Sequence, residues 1–195
     1  MSAGAGPGAA GPLPLPAEVV DGELVLRWWR VDDVEAMADA VTASIEHLRP
    51  WMPWIAFEPQ SLEDRRGVIE GWEADRRAGG DVVYGLWIGG GLVGGIGLHR
   101  RLGPDALEIG YWVHVDHVGR GLAGRAARLV TDLALAVPGL DRVEIHHDPA
   151  NVRSGRVPEK LGFTRVGEIE VEAAAPGETG RRVVWRMERP GPTEP

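Results

Sequence analysis

The sequence predicts a single layered α/β domain in which a mixed, largely antiparallel central sheet is flanked by helices. Three observations predict it: strand-like and helix-like segments alternate along the chain, a glycine turn at Gly89–Gly91 joins two apolar runs, and 195 residues suit one domain. The content of 44% hydrophobic and 26% charged residues allows a sizeable core. The predicted order of elements is β-α-α-β-β-β-α-β-α-β-β.

The chain begins its regular structure with a short strand and two helices. The run ELVLRWW (Glu23–Trp29) is typical of a strand. Asp32 can cap the helix that follows, with Glu35 as its capping-box partner, because apolar residues then recur at helical spacing. Ser61 and Asp64 repeat this pattern and predict the start of the second helix.

The second half of the chain begins with a hairpin. DVVYGLWI (Asp81–Ile88) and LVGGIGLH (Leu92–His99) flank the glycine turn and predict two antiparallel strands. Four more strands are predicted near Ala106–Val115, Asp141–His147, Phe163–Val171 and Arg182–Glu188, and helices near Leu122–Ala136 and Val152–Leu161.

Composition sets the boundaries of this domain. The Gly-, Ala- and Pro-rich start predicts a disordered tail over residues 1–19, a folded unit over 20–189 and a flexible end over 190–195. The tail lacks the basic start and apolar middle of a secretory signal, so we expect a cytoplasmic protein. No apolar run approaches the roughly 18 residues that span a bilayer, which excludes a membrane protein.

The charge balance and the cysteine content exclude further classes. Lys+Arg 21 against Asp+Glu 29 gives a net charge of −8, which argues against a general nucleic-acid binder and suits a cationic partner. Cys 0 removes thiol nucleophiles and thiolate metal sites. His146 and His147 face opposite ways on a strand, and His114 and His117 have no third ligand at suitable spacing, so no metal is predicted.

The segment Leu107–Val130 carries the first sign of chemistry. A strand ends there and VGRGLAG (Val118–Gly124) opens directly into a helix. Glycines permit close approach of a ligand, and the helix start presents unpaired N–H groups, so the segment can bind an anion such as a diphosphate. It matches neither the P-loop nor the GxGxxG fingerprint, and a plain tight connection remains the alternative.

A second cluster follows a later strand, where Asn151 and Ser154 lie three residues apart ahead of a helix that ends at Leu161-Gly162-Phe163. With this cluster the chain resembles the GNAT N-acetyltransferase superfamily, whose acetyl-CoA site carries a Q/R-x-x-G-x-G/A signature at a helix start. Gly121 and Ala123 match the end of that signature, whereas Val118 replaces its Gln or Arg.

Within that superfamily the chain resembles the branch that acetylates N-terminal amines of ribosomal proteins. LRPWMPW (Leu48–Trp54), EIGYWV (Glu108–Val113) and NVRSGRVPEKLGF (Asn151–Phe163) carry the resemblance, which runs from about residue 23 to 188. It implies an acetyl-CoA-dependent acyltransferase that acetylates a primary amine, with a protein α-amine favoured. A small amine such as an aminoglycoside is the alternative acceptor, and a non-catalytic CoA-binding module is the alternative of another class.

The resemblance also implies which residues bind acetyl-CoA, as an acyl donor without a metal. Main-chain N–H groups of the glycine turn would hold the diphosphate, the end of the preceding strand would hold the pantetheine, and Asn151 would contact its arm. The residues so implied are Trp112, Val113, His114, Gly119, Arg120, Gly121, Leu122, Ala123 and Gly124.

The catalytic residues implied by the resemblance are Glu108 and Ser154. Glu108 would be the general base, and an exposed or arginine-paired strand carboxylate is the alternative. Ser154 would donate a proton to the leaving sulfur, with helix capping as the alternative and Tyr111 as a rival donor that strand parity groups with the core. Trp51 and Trp54 would wall the acceptor pocket or anchor their loop in the core. The sequence leaves a homodimer open.

Overall fold

The computed structural model describes residues 11–191 and confirms the predicted fold class. Eight strands form one sheet, flanked by four α-helices. The strands are β1 (Glu18–Asp21), β2 (Leu24–Trp28), β3 (Val82–Ile88), β4 (Gly91–His99), β5 (Ala106–Val113), β6 (Arg142–His147), β7 (Thr164–Glu170) and β8 (Arg181–Glu188). The helices are α1 (Val34–Leu48), α2 (Leu62–Arg77), α3 (Leu122–Ala136) and α4 (Val152–Lys160).

The sheet has the strand order β1-β2-β3-β4-β5-β6-β8-β7. Every neighbouring pair is antiparallel except β5 and β6, which run parallel because α3 forms the crossover between them. The parallel pairing is short, since it links Ala106–Glu108 to Arg142–Glu144 and then stops. The sheet therefore consists of two fully paired parts, β1 to β5 and β6 to β7, which are joined only by this short pairing.

Two apolar clusters cover the two faces of the sheet. On one face, α3 packs Leu122, Ala126 and Val130 against β5 residues Leu107 and Ile109. On the other face, α1 and α2 pack against a second cluster that includes Trp87, Leu92 and part of Trp112. Because successive strand residues point to opposite faces, the central strands β2, β3, β4 and β5 contribute to both clusters.

The helix starts confirm one sequence prediction and correct another. Ser61 and Asp64 form the predicted capping box, in which the Asp64 N–H donates to Ser61 Oγ at 3.1 Å and the Ser61 N–H donates to Asp64 Oδ2 at 3.0 Å. The prediction that Asp32 caps the first helix is wrong. A 3₁₀ turn begins at Val31, so Asp33 is the residue that accepts the Arg30 N–H, at 2.8 Å.

The packed chain begins earlier than residue 20. Leu13 and Leu15 are 7% and 6% exposed within the α3-side cluster, and the Tyr84 hydroxyl donates to the Pro16 carbonyl at 2.9 Å. The strand Glu18–Asp21 was not predicted, because a Gly- and Pro-rich composition suggested disorder and the burial comes from tertiary contacts. Residues 1–10 and 192–195 of the two predicted tails lie outside the described residues. Within the described range, no helix is long and apolar enough to cross a membrane.

Candidate active site

A gap opens in the sheet where β5 and β6 separate. Beyond the Glu108–Glu144 pair, β5 is hydrogen-bonded only to β4 and β6 only to β8. The His114 N–H donates to the Val93 carbonyl at 2.9 Å. Because backbone hydrogen bonding alternates along an antiparallel strand, the backbone groups of Tyr111 and Val113 then face away from β4 and into the gap.

A cavity of about 530 Å³ occupies this gap and reaches both faces of the sheet. Its lining includes Trp54 and Trp112 from the α1–α2 face, and Tyr111 and Ser154 from the α3–α4 face. Two ligands that enter from opposite faces can therefore meet within one continuous space.

Glu108 lies in this cavity on the α1–α2 face, and only 8% of the residue is exposed. The structure thus removes the alternative of an exposed strand carboxylate. Its Oε2 atom lies 3.7 Å from Arg101 Nε and 3.7 Å from His146 Nδ1, so both neighbours are beyond direct hydrogen-bond distance. Arg101 and Glu108 thus form a long ion pair, which is the second alternative that the sequence left open for this carboxylate.

Glycines on β4 and β5 create the floor of the cavity beside Glu108. A Cβ atom at Gly97 would lie 2.5 Å from His99 Nε2, and one at Gly95 would lie 2.6 Å from Trp112 Nε1. These positions allow two large side chains to lie flat on the sheet. They explain why a glycine-rich strand, GLVGGIGLH, is paired at the centre of the domain.

Tyr111 and Ser154 form a hydroxyl pair on the opposite face. The Tyr111 hydroxyl lies 3.1 Å from Ser154 Oγ and donates to the Ser154 carbonyl at 3.0 Å. Burial raises the pKa of Tyr111 to about 12, against the hydrogen bond with Ser154, which lowers it. Strand parity does place Tyr111 against the core, but its hydroxyl reaches the cavity wall, which parity alone did not reveal.

Asn151 has the capping role that the sequence offered as the alternative reading of this cluster. Its Oδ1 accepts the Ser154 N–H at 3.2 Å at the start of α4. Both residues also line the cavity. Helix capping therefore fixes their positions at the cavity wall, and their cofactor-binding and proton-donor roles stay predictions.

The glycine turn opens directly into α3, as the sequence predicted. Gly119 and Gly121 have φ of +80° and +75°, a left-handed conformation that other residues adopt at a cost. The Arg125 N–H makes the first bond of the helix, to the Gly121 carbonyl, which leaves the N–H groups at the helix start without intrahelical partners. Those groups belong to Gly121, Leu122, Ala123 and Gly124.

The remaining predicted cofactor residues lie partly at the end of β5 and partly in the turn that follows it. Trp112 packs edge-on against Trp54, with ring centroids 6.1 Å apart, whereas the backbone of Val113 faces the gap. The His114 ring accepts the Asp116 N–H at 3.1 Å, and the Arg120 guanidinium lies 3.0 Å from His117 Nδ1. The sheet gap and the helix start are thus joined by a few residues of chain.

The tryptophans predicted at the acceptor side both line the cavity. Trp51 and Trp54 are half-buried, whereas Ile55 between them and α2 is 1% exposed and anchors the loop in the core. The loop between α1 and α2 therefore supplies an aromatic wall and has its own separate anchor.

Two features of the site were missed by sequence reasoning. The loop between β7 and β8 is fastened over the cavity, since Asp148 accepts from Thr179 Oγ1 at 2.9 Å and the Gly177 N–H donates to the Pro50 carbonyl at 2.9 Å. The second feature is a buried ion pair, in which Arg65 Nη2 donates to Glu58 Oε2 at 2.6 Å. The contacts of the β7–β8 loop join distant segments, and Glu58 and Arg65 lie on either side of the start of α2, so neither feature follows a helix or strand spacing.

The histidines lie as their strand parity predicted. His146 Nε2 is 2.8 Å from Glu144 Oε2 on the α1–α2 face, whereas the His147 ring stacks on Trp185 and accepts its indole N–H at 3.0 Å. Among residues 11–191, no three His, Cys, Asp or Glu side chains are grouped closely enough to hold a metal ion.

The sequence and the fold of the chain are similar to those of known proteins. A sequence model of the acetyltransferase (GNAT) domain matches residues 23–164. The putative ribosomal N-acetyltransferase YdaF of Bacillus subtilis is 29% identical over 152 residues, which cover 76% of this chain and 82% of YdaF.

Two solved structures share the fold over most of their length. Mycobacterium smegmatis RimJ, in complex with a CoA disulfide, has a TM-score of 0.73 at 25% identity, and the match covers 91% of this chain and 86% of RimJ. RimL, a ribosomal L7/L12 α-N-protein acetyltransferase in complex with coenzyme A, has a TM-score of 0.78 at 20% identity, over 89% of this chain and 97% of RimL.

Proposed function

The chain belongs to the GNAT acetyltransferase family and is therefore an acyltransferase, and from that premise we propose that it transfers the acetyl group of acetyl-CoA to the α-amine of a protein N-terminus. The observation that carries the proposal is the cavity through the sheet gap. It has a buried carboxylate, Glu108, on one face and the Tyr111–Ser154 hydroxyl pair on the other.

The chain offers donors that fit acetyl-CoA. The free N–H groups of Gly121, Leu122, Ala123 and Gly124, with those of Gly119 and Arg120 in the turn, would hold the diphosphate at the positive end of the α3 dipole. A Cβ at Gly119, Gly121 or Gly124 would meet nothing within 4 Å, so the space in front of this helix start is open. Val118 in place of Gln or Arg removes a side chain but none of these backbone donors.

The sheet gap fits the pantetheine arm. Its amides need main-chain partners, and Tyr111 and Val113, on either side of Trp112, direct unpaired backbone groups into the gap. The Asn151 amide nitrogen adds a donor from the other wall. A thioester carbonyl placed at the end of this strand has backbone N–H groups within reach to stabilise the oxyanion.

The acceptor approaches from the face that holds Glu108. Glu108 takes a proton from the amine, the nitrogen attacks the thioester carbonyl carbon, and the C–S bond breaks as the tetrahedral intermediate collapses. The leaving sulfur takes its proton from the Tyr111–Ser154 pair. With a pKa of about 12, Tyr111 stays protonated at neutral pH and can be the donor or can re-protonate Ser154.

Two properties support a protein α-amine as the acceptor. An α-amine has a pKa of about 7.7–8.0, against about 10.4 for lysine, so it needs much less help from a base to lose its proton. The relatives supply the second support, because YdaF and RimL are named as ribosomal-protein acetyltransferases. The wall of Trp51 and Trp54 then lies beside the first residues of the acceptor.

The test is release of free CoA by the purified chain with a panel of acceptors. Peptides that copy ribosomal-protein N-termini should be acetylated at the α-amine by mass spectrometry, and the same peptides with a blocked N-terminus should be inert. Acetylation of aminoglycosides alone would replace the proposal with the small-amine alternative. Acetyl-CoA binding without turnover on any amine would favour the non-catalytic module.

The proton donor is assigned by two further variants. Tyr111→Phe and Ser154→Ala each remove one hydroxyl of the pair and leave the acceptor side unchanged. If Tyr111 is the donor, only Tyr111→Phe lowers kcat strongly, by about 10²-fold or more. If Ser154 is the donor, the order of the two effects is reversed.

A further inference from the structure

Glu108 lies on the sheet between two histidines. His99 is its direct partner on β4, and Glu144 is its partner on β6, two residues before His146. The side chains of Glu108 and His146 are 10% and 7% exposed, and His146 Nδ1 lies 3.7 Å from Glu108 Oε2. A second titratable group, which the proposed mechanism does not use, is therefore buried beside the base.

The far side of the His146 ring is fixed by Glu144. His146 Nε2 lies 2.8 Å from Glu144 Oε2, and Glu144 Oε1 accepts from Arg186 Nε at 2.9 Å and lies 2.8 Å from its Nη2. Burial opposes ionisation of Glu144, but the hydrogen bonds from His146 and Arg186 outweigh it and hold its pKa below the usual value.

This arrangement selects one tautomer of His146. An ionised carboxylate can only accept, so Nε2 must carry the proton that it donates to Glu144. In the neutral ring Nδ1 then carries no proton and can accept one, and this atom faces Glu108.

We propose that His146 takes from Glu108 the proton that Glu108 removes from the amine. The inference rests on the function proposed above, in which Glu108 is the base. After deprotonation of the amine, the Glu108 carboxylic acid passes its proton to His146 Nδ1 and becomes a carboxylate again. The resulting imidazolium is paired with Glu144 and then loses its proton to solvent.

The distance is compatible with this transfer. A separation of 3.7 Å is longer than a direct hydrogen bond, and a small rotation of the Glu108 side chain closes it. His146 acts through Glu108, so it is a positioning and relay residue, whereas Glu108 is the residue that meets the acceptor.

Other charged groups lie near Glu108 and Glu144, and their effects must be distinguished from that of His146. Arg101 Nε lies 3.7 Å from Glu108 Oε2, and Arg142 Nε lies 3.4 Å from Glu144 Oε1. His99 is the rival relay, but its Nδ1 is bound to Asp81 at 2.5 Å and its Nε2 lies over Gly97. Neither ring nitrogen of His99 lies within 4.0 Å of a Glu108 carboxylate oxygen in the described chain.

The test is the dependence of kcat on pH at saturating substrates. His146→Gln should lower kcat about tenfold or more with unchanged acetyl-CoA affinity, and it should change the pH profile of kcat, because the proton of Glu108 loses its path through the imidazole. Glu144→Gln should lower kcat as well, because the imidazolium loses its anionic partner. His47→Gln is the matched control, since His47 lies on α1 outside the cavity, and it should match the wild type.

Three kinetic outcomes would overturn the inference. An unchanged pH profile of kcat in His146→Gln would exclude a relay, and a changed profile in His99→Gln but not in His146→Gln would assign the relay to His99. A third test uses a peptide whose N-terminal nitrogen is an aminooxy group, a much weaker base. Its acetylation should suffer less from His146→Gln than that of the ordinary peptide, and an equal loss would indicate a merely structural role.

A readout without turnover keeps this inference distinct from the proposed function. Nitrogen-15 NMR of the chain alone should show His146 protonated at Nε2, and Glu144→Gln should weaken that preference. A wild type that transfers acetyl to no amine would overturn the proposed function. A ring protonated at Nδ1 would overturn the relay whether or not transfer is seen.

Discussion

Replacement of Gly121 by alanine separates the two reasons for a glycine at the start of α3. Gly121 has φ of +75°, and a Cβ there would meet nothing within 4 Å. The only cost within the chain is therefore that of a left-handed conformation, about 1–2 kcal/mol. For a domain of this size, each kcal/mol lowers Tm by about 2–4 °C, so we expect a decrease of about 2–8 °C.

Gly121→Ala should also weaken acetyl-CoA binding, because the added methyl group enters the empty space in front of the helix start. A methyl group there projects where the diphosphate would approach the free N–H groups, and the loss of one charge-assisted hydrogen bond costs about 1.5–3 kcal/mol. At about 1.4 kcal/mol for each factor of ten, Kd should rise roughly ten- to a hundredfold. Calorimetric titration with acetyl-CoA measures this rise directly.

Gly139 provides the matched control, because it has φ of +86° and equally open surroundings in the loop between α3 and β6. Gly139→Ala should lower Tm by a similar amount and leave the affinity for acetyl-CoA unchanged. An unchanged affinity in a folded Gly121→Ala protein would refute the assignment of the diphosphate site. An equal loss of affinity in both variants would show that the effect is one of stability alone.

Three further predictions concern the acceptor face and acid stability. Glu108→Gln should lower kcat about 10²-fold or more with unchanged acetyl-CoA binding by calorimetry, and loss of binding as well would indicate a structural role. Trp54→Ala should raise KM for the peptide but not for acetyl-CoA in steady-state kinetics, whereas a rise in both would place Trp54 outside the acceptor wall. Burial opposes ionisation of Asp148, but hydrogen bonds from Thr179 and Ala150 hold its pKa below the usual value. Asp148 therefore binds a proton more readily in the unfolded chain than in the folded one. Its contribution to the free energy of unfolding is full above about pH 4 and is lost on acidification. In urea unfolding, Asp148→Asn should have a lower free energy of unfolding at neutral pH, and that free energy should depend less on pH than in the wild type. An identical dependence on pH in the two proteins would contradict this.

Local patterns allowed most elements to be predicted from the sequence. The helix Leu122–Ala136 has the predicted bounds, and the Ser61–Asp64 box forms as expected. Both depend on residues within one or two turns of each other, where periodicity and capping decide the structure. The strand at Glu18–Asp21 was missed because its formation depends on pairing with β2 and on the burial of Leu13 and Leu15.

The candidate site was predictable only where it follows one segment. The glycine turn and the face of Glu108 could be deduced from spacing along the chain. The Glu144–His146 pair had a signal as well, because residues two apart on a strand share a face. The ion pair between Arg186 and Glu144 had no sequence signal, since β8 and β6 become neighbours only through the topology of the sheet.

The spacing within β5 accounts for how one strand can serve both ends of the proposed reaction. Glu108 and Tyr111 are separated by three residues, an odd number, so they must lie on opposite faces of the sheet. On opposite faces, Glu108 would meet the amine from the α1–α2 side and the Tyr111–Ser154 pair would meet the sulfur from the α3–α4 side. The gap where β5 and β6 separate connects the two faces, and the proposed reaction places the reacting carbon there.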